Sequence, residues 1–192
     1  MKPSPHTHLK YKIAVSGAAE TSHCGPQALS LTKELGRHVA LQGAVLLTGA
    51  TTGAPYWAAI GAKEAGGFVI GLSPAVSEAE HVKKYRLPVD YHDLIIYTGF
   101  GYAGRNLLLT RSSDGVIFTC GRMGTVNEFT IAFEEDKPIG VLANSGWMTD
   151  EVIKKIIDEA HRGSGKVVYG EEPVDLVQKV IGLVRKEKLI KI

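Results

Sequence analysis

Seven short apolar, β-branched runs punctuate the chain, at residues 11–16, 45–48, 68–72, 94–98, 115–120, 138–142 and 166–169. Between them the apolar residues recur near every 3.6 positions. Residues 28–40 keep Leu29, Leu31, Leu35 and Val39 for packing, and residues 152–160 keep Val152, Ile153, Ile156 and Ile157. Residues 174–184 repeat the pattern and lead into a basic tail, 185–192. Strands of continuous apolar character, separated by helices, demand a parallel sheet covered on both faces. With right-handed crossovers, this predicts an α/β, Rossmann-like, doubly wound parallel sheet of about seven strands with helices on both faces. Residues 1–10 read as a flexible N-terminal segment and residues 11–192 as a single domain.

Composition narrows the class. Of 192 residues, 44% are hydrophobic and 22% charged, which excludes a disordered chain, a collagen-like repeat and a coiled coil. A net charge of +2 is too balanced for a dedicated nucleic-acid binder. No stretch approaches the ~18 apolar residues of a membrane span, and the polar start, 1–12, does not read as a signal peptide. The expected location is therefore the cytosol. Cys24 and Cys120 have no CxxC spacing, which argues against a disulfide scaffold or a zinc ribbon. The longest irregular piece, 73–92, contains a short charged helix at 77–85 and is expected to act as a lid.

Glycine is over-represented, with 22 residues, or about 11% against a usual ~7%. Ten fall at predicted strand carboxyl ends or in the turns after them: Gly17, Gly49, Gly53, Gly71, Gly99, Gly101, Gly104, Gly121, Gly124 and Gly146. In a doubly wound sheet the ligand lies beyond those ends, where strand order reverses. The segments to inspect are Ser16-Gly17, Gly49-Ala50-Thr51-Thr52-Gly53, Thr98-Gly99-Phe100-Gly101 and the run after the fifth strand.

That run, CGRMGTVNE at 120–128, carries the most chemistry. Glycines let backbone N–H groups approach an anion, and a helix beginning at Gly124-Thr125 aims its positive end there. Thr125 either caps that helix or holds a phosphate oxygen. Glu128, three residues on, either faces the same pocket or complements the helix dipole. Arg105-Asn106 opens another helix, 105–112, at the ligand edge, where an arginine can clamp an anion in a bidentate way. Gly99, Gly101 and Gly104 spell GxGxxG, yet no acidic residue follows the next strand, so a phosphate-facing or tight-packing role outweighs dinucleotide binding. Weaker candidates remain. Cys120 reads as a buried inert thiol or as one of lowered pKa. Tyr56 and Trp57 serve either base stacking or core packing. His6 and His8 are a metal pair or part of a disordered end.

The run RNLLLTRSSDGVIFTCGRMGTVNE, from Arg105 through Asp114 to Glu128, resembles the signature of the Lonely Guy (LOG) family, once labelled lysine decarboxylases. That signature has an arginine near a helix start, an aspartate at a strand entry, and then PGGxGTxxE. Arg105, Asp114, Gly121, Gly124, Thr125 and Glu128 match it without a gap. The run TGFG before Arg105-Asn106, and Ser145-Gly146-Trp147, are similar to the molybdenum-cofactor-carrier-like branch. Cys120 replaces the motif proline, Arg122 its second glycine, and Asn127 stands where many phosphoribohydrolases carry glutamate.

The resemblance implies a nucleotide-binding Rossmann-like domain and leaves two functions open. One is a hydrolase that cleaves the N-glycosidic bond of a nucleoside 5′-monophosphate. In it Gly17, Gly49, Thr51, Thr52, Gly53, Gly99, Gly101, Asn106, Gly121, Arg122, Met123, Gly124 and Thr125 would bind the ligand, and Arg105 and Glu128 would catalyse. That reaction requires no metal or redox cofactor. The other is a carrier or sensor that binds a nucleotide or the molybdenum cofactor without turnover. The resemblance also implies a homodimer or homotetramer. A DNA-processing role ranks third, because the chain lacks an aromatic-basic stripe.

Overall fold

A computed structural model describes residues 8–146, 148–161 and 165–188. Seven strands form one all-parallel sheet: β1 (Lys12–Ser16), β2 (Val45–Thr48), β3 (Val69–Ser73), β4 (Leu94–Tyr97), β5 (Gly115–Phe118), β6 (Ile139–Leu142) and β7 (Val167–Gly170). Their order is β4-β3-β2-β1-β5-β6-β7, so the chain moves outward one way from β1 and then restarts on its other side at β5. The helices are α1 (Ala28–Leu41), α2 (Ala54–Glu64), α3 (Glu78–Lys83), α4 (Gly101–Ser112), α5 (Met123–Glu134), α6 (Ile153–Glu159, entered by a π-helical turn, Met148–Val152) and α7 (Pro173–Glu187).

Alternation along the strands feeds two separate cores. Ile13, Val15, Leu46 and Ile117 face a layer made by Leu35 and Val39 of α1, Ala58 and Ala62 of α2, and Val177, Val180 and Val184 of α7. Ala14, Leu47, Val116 and Phe118 face the opposite layer, where Leu109 of α4, Phe129 and Phe133 of α5 and Ile153 of α6 pack. Successive residues thus serve opposite faces, and central strands need apolar residues at every position.

In the first layer α1 and α2 touch backbone to backbone. A methyl group on Gly36 would lie 1.9 Å from the Ala58 carbonyl oxygen, and one on Gly61 would lie 1.9 Å from that of Lys33. Glycine here is a contact surface, not a turn, and the sequence pattern alone did not reveal it.

At the amino-terminal end of the sheet Asp114 ties distant pieces together. It accepts from the Lys12 amide (2.8 Å), the Lys12 ammonium (2.9 Å) and the Lys188 ammonium (2.6 Å). Burial pushes its carboxyl up, but these hydrogen bonds outweigh burial and hold it below the usual range. Among the described residues no helix is long and apolar enough to cross a membrane.

Several expectations need correction. Cys24 and Cys120 form a disulfide, with Cα atoms 5.5 Å apart, across 96 residues of sequence. Strand pairing, not local spacing, brings them together, so neither an inert thiol nor a free one survives at Cys120. Helix α4 starts at Gly101, four residues before Arg105, which therefore lies in its second turn. Helix α5 starts at Met123 with Arg122 as its N-cap, so Thr125 is not the cap. Segment 73–92 does contain a short helix, α3. Its His81, however, is buried against Ser73 (2.8 Å) and the Pro88 carbonyl (2.9 Å), and none of its residues lines the site described below.

Candidate functional site

Between the carboxyl ends of β1 and β5, where strand order reverses, lies a cavity of about 360 Å³. That is the size of a small-molecule site and the place where open α/β sheets bind ligands. Four connections supply its walls: the β1–α1 loop, the β2–α2 loop, α4 and the β5–α5 loop.

Arg105 dominates the polar end. Its side chain enters from the second turn of α4, and the residue is only 7% exposed. Its guanidinium lies over the backbone of Gly49, where a methyl group would be 1.4 Å from Nη1. Nε is buried without a hydrogen-bond partner. The Tyr102 ring centroid lies 5.9 Å from Cζ, one turn earlier on α4. Burial pulls the guanidinium below its ordinary pKa, against the favourable charge of Glu128. It stays a cation nonetheless.

Glu128 enters from α5 and is equally buried. Ser16, the last residue of β1, donates its hydroxyl to Oε2. With its amide nitrogen toward Glu128, Asn106 donates to Oε1 at 2.9 Å and to the Tyr102 carbonyl at 3.0 Å. Burial raises the carboxyl pKa despite Arg105 and the Ser16 hydrogen bond. The site therefore holds one buried cation and one carboxyl whose proton is unusually easy to keep.

Helix α5 adds a third element. Its first helical hydrogen bond runs from the Val126 N–H to the Arg122 carbonyl at 3.1 Å, and no side chain caps it. Met123, Gly124 and Thr125 thus have N–H groups without intrahelical acceptors, and Gly124 and Thr125 line the cavity. Orphan donors and a positive helix end make an anion site. The other wall is apolar, formed by Val15, Ala18, Pro55 and Leu109.

Of the residues singled out from sequence, Gly17, Gly49, Thr51, Arg105, Asn106, Arg122, Gly124, Thr125 and Glu128 line this cavity. Thr52, Gly53, Gly99, Gly101, Gly121 and Met123 do not. Thr52 donates to the Ala19 carbonyl (3.1 Å), and Gly53 at φ +70° packs against the same loop. Gly99 and Gly101 donate to the Ala75 and Pro74 carbonyls, a turn that leads the chain into α4. Arg122 does not fill the loop: 64% exposed, it reaches the rim and pairs with Glu20 at 3.4 Å. Asp114 sits at the far end of the sheet. Tyr56 donates to Asp90 (2.5 Å), which pushes its hydroxyl up to about 12, and neither Tyr56 nor Trp57 lines the cavity. His6 and Trp147 lie outside the described residues. Ser16, at the first of the strand ends singled out from sequence, lines the cavity as well, whereas Glu20 and Tyr102 line it without having been expected there.

The profile of the SLOG cluster4 family matches residues 10–177. An uncharacterized protein of Archaeoglobus fulgidus is 34% identical over 131 residues, covering 68% of this chain and 79% of that one. The molybdenum cofactor binding protein of Rippkaea orientalis superimposes with a TM-score of 0.71 at 30% identity, over 94% of this chain and 98% of its own. The Moco carrier protein of Chlamydomonas reinhardtii gives a TM-score of 0.76 at 28% identity, over 93% and 99%.

Proposed function

The chain belongs to the SLOG cluster4 family, and on that premise we propose that it binds and carries a phosphorylated planar heterocycle of the molybdenum-cofactor or nucleotide type. One observation carries this reading. Arg105 is a buried guanidinium with no hydrogen bond or ion pair among the described residues, and it lines a cavity into which α5 also directs orphan N–H donors. A buried guanidinium that makes no hydrogen bond is costly unless an anion completes it. A phosphate fits that end. The apolar wall of Val15, Ala18, Pro55 and Leu109, with Tyr102 beside it, suits a flat ring. Similar proteins described as binding or carrying the molybdenum cofactor support this choice of cargo.

Calorimetry with adenosine 5′-monophosphate and with a pterin phosphate tests the reading. Saturable binding by the wild type, lost in Arg105→Ala, is the expected result. No binding of either ligand class overturns it.

A second reading rests on Glu128. A buried side chain that accepts hydrogen bonds from Ser16 and Asn106 on its two oxygens is suited, as a carboxylate, to stabilise positive charge as an N-glycosidic bond breaks, with Arg105 orienting the phosphorylated substrate. Release of free base from a nucleoside 5′-monophosphate, abolished in Glu128→Ala while binding persists, would favour this hydrolase over the carrier.

A further inference from the structure

Two loops meet over the cavity, and their contacts are unequal. Residues 18 and 19 are firmly held. The Ala18 N–H donates to the Cys120 carbonyl (2.8 Å), the Ala54 N–H donates to the Ala18 carbonyl (2.9 Å), and Thr52 holds Ala19. Gly25 is held as well, its N–H bonded to the Ser145 carbonyl at 3.0 Å. Between these anchors, and beyond the packing of Cys24 against Ala28 and Ala54, residues 20–24 make three polar or covalent links to the other described residues. Two are polar and partly exposed: Glu20 with Arg122, and His23 Nε2 with the Gly121 carbonyl at 3.2 Å. Contacts of that kind are individually weak. The third is the Cys24–Cys120 disulfide.

We propose that Cys24–Cys120 is a reversible thiol–disulfide site whose oxidised form closes the cavity wall and whose reduction releases it. Cys120 is fully buried, whereas Cys24 is partly exposed, so an incoming thiolate attacks the Cys24 sulfur. The S–S bond breaks and its electron pair leaves on the Cys120 sulfur, which then takes a proton. The second thiol of a dithiol reductant resolves the mixed disulfide and frees the Cys24 thiol. The products are two cysteine thiols and the oxidised reductant. Cys120 lies two residues before the N-cap of α5, a position that favours a leaving thiolate.

The consequence is confined to segment 20–24. Glu20 lines the cavity and belongs to the released segment, and Arg122, its partner, lines the facing wall. A ligand gripped between these walls loses one of them on reduction. This last point rests on the ligand reading above.

The test uses the whole chain in its oxidised form and after treatment with a dithiol without denaturant. Alkylation and mass spectrometry are expected to find both cysteines reduced with circular dichroism unchanged. After brief exposure to glutathione, the mixed disulfide should lie on Cys24. Amide hydrogen exchange should quicken at least tenfold at residues 20–24 and stay unchanged in α1. Affinity for adenosine 5′-monophosphate should fall about tenfold. Cys24→Ser should behave as the reduced form whether or not reductant is present, and if it fails to fold, the reduced wild type carries the same comparison. A bridge that resists the dithiol until the protein unfolds overturns the proposal, as does reduction that leaves exchange at 20–24 unchanged. If the nucleotide binds neither form, the ligand reading falls, and a rise in exchange at 20–24 still supports the thiol–disulfide site.

Discussion

The guanidinium of Arg105 occupies the space that any side chain at position 49 would fill: a methyl group there would stand 1.4 Å from Nη1. Gly49, just after β2, and Arg105, in the second turn of α4, are therefore one packing unit.

Gly49→Ala should fold, because the displaced atom ends a long side chain, but it should misplace Arg105. Loss of a charge-assisted contact of about 1.5–3 kcal/mol predicts roughly tenfold to hundredfold weaker nucleotide binding. Calorimetry beside a thermal melt checks this; unchanged affinity would detach Arg105 from the ligand.

Gly36→Ala should behave in the opposite way, harming stability and not the site. The added methyl meets the Ala58 backbone, which cannot rotate aside. Overpacking costs roughly 3 kcal/mol, and the better helix propensity of alanine returns about 1. The net loss of about 2 kcal/mol lowers Tm by roughly 4–8 °C. A melt no lower than wild type would show that the α1–α2 crossing tolerates separation.

Asp114 should make stability fall in acid. Its folded-state pKa is depressed, so its contribution is complete above the unfolded value of about 3.9 and is lost as pH falls through the folded value. Asp114→Asn should lose about 1–2 kcal/mol at pH 7 and show a flatter stability profile below pH 4. Urea titrations across that range decide it.

His92 should make stability fall at milder acidity. Burial holds its imidazole below the ordinary value, while Nδ1 donates to the Asp90 carbonyl (2.9 Å) and Nε2 accepts from Thr48 (2.8 Å). The unfolded chain binds a proton near pH 6.5 that the folded one refuses, so stability declines as pH drops below that value. His92→Gln should lose that slope between pH 7 and 5 while lowering stability overall by about 1–3 kcal/mol.

Much of this was legible from sequence, for identifiable reasons. Strand positions follow from β-branched apolar runs, because strands buried on both faces admit little else. The polar end of the site was readable because Arg105 and Glu128 both follow glycine-bearing turns after strands and both match one contiguous motif. Helix starts were not. Gly101 opens α4 although glycine is a poor helix former, and only the three-dimensional turn over Pro74 and Ala75 explains the choice. The disulfide was hidden because its two cysteines become neighbours only through the pairing of β1 with β5. Gly36 and Gly61 were hidden too, since a mid-helix glycine reads as a weakness until the second helix is laid against it.

The hydroxyls that end β2 and β3 give the molecule a one-sided architecture. Thr48 is engaged by His92, and Ser73 by His81, so two neighbouring strand ends carry imidazole plugs. Ser16, at the next strand along, instead presents its hydroxyl to Glu128 beside the cavity. The sheet's crest is thus paved on its β2–β3 flank and open at the β1–β5 junction, where ligand shape and loop chemistry can diverge without disturbing the packing that holds the crest in place.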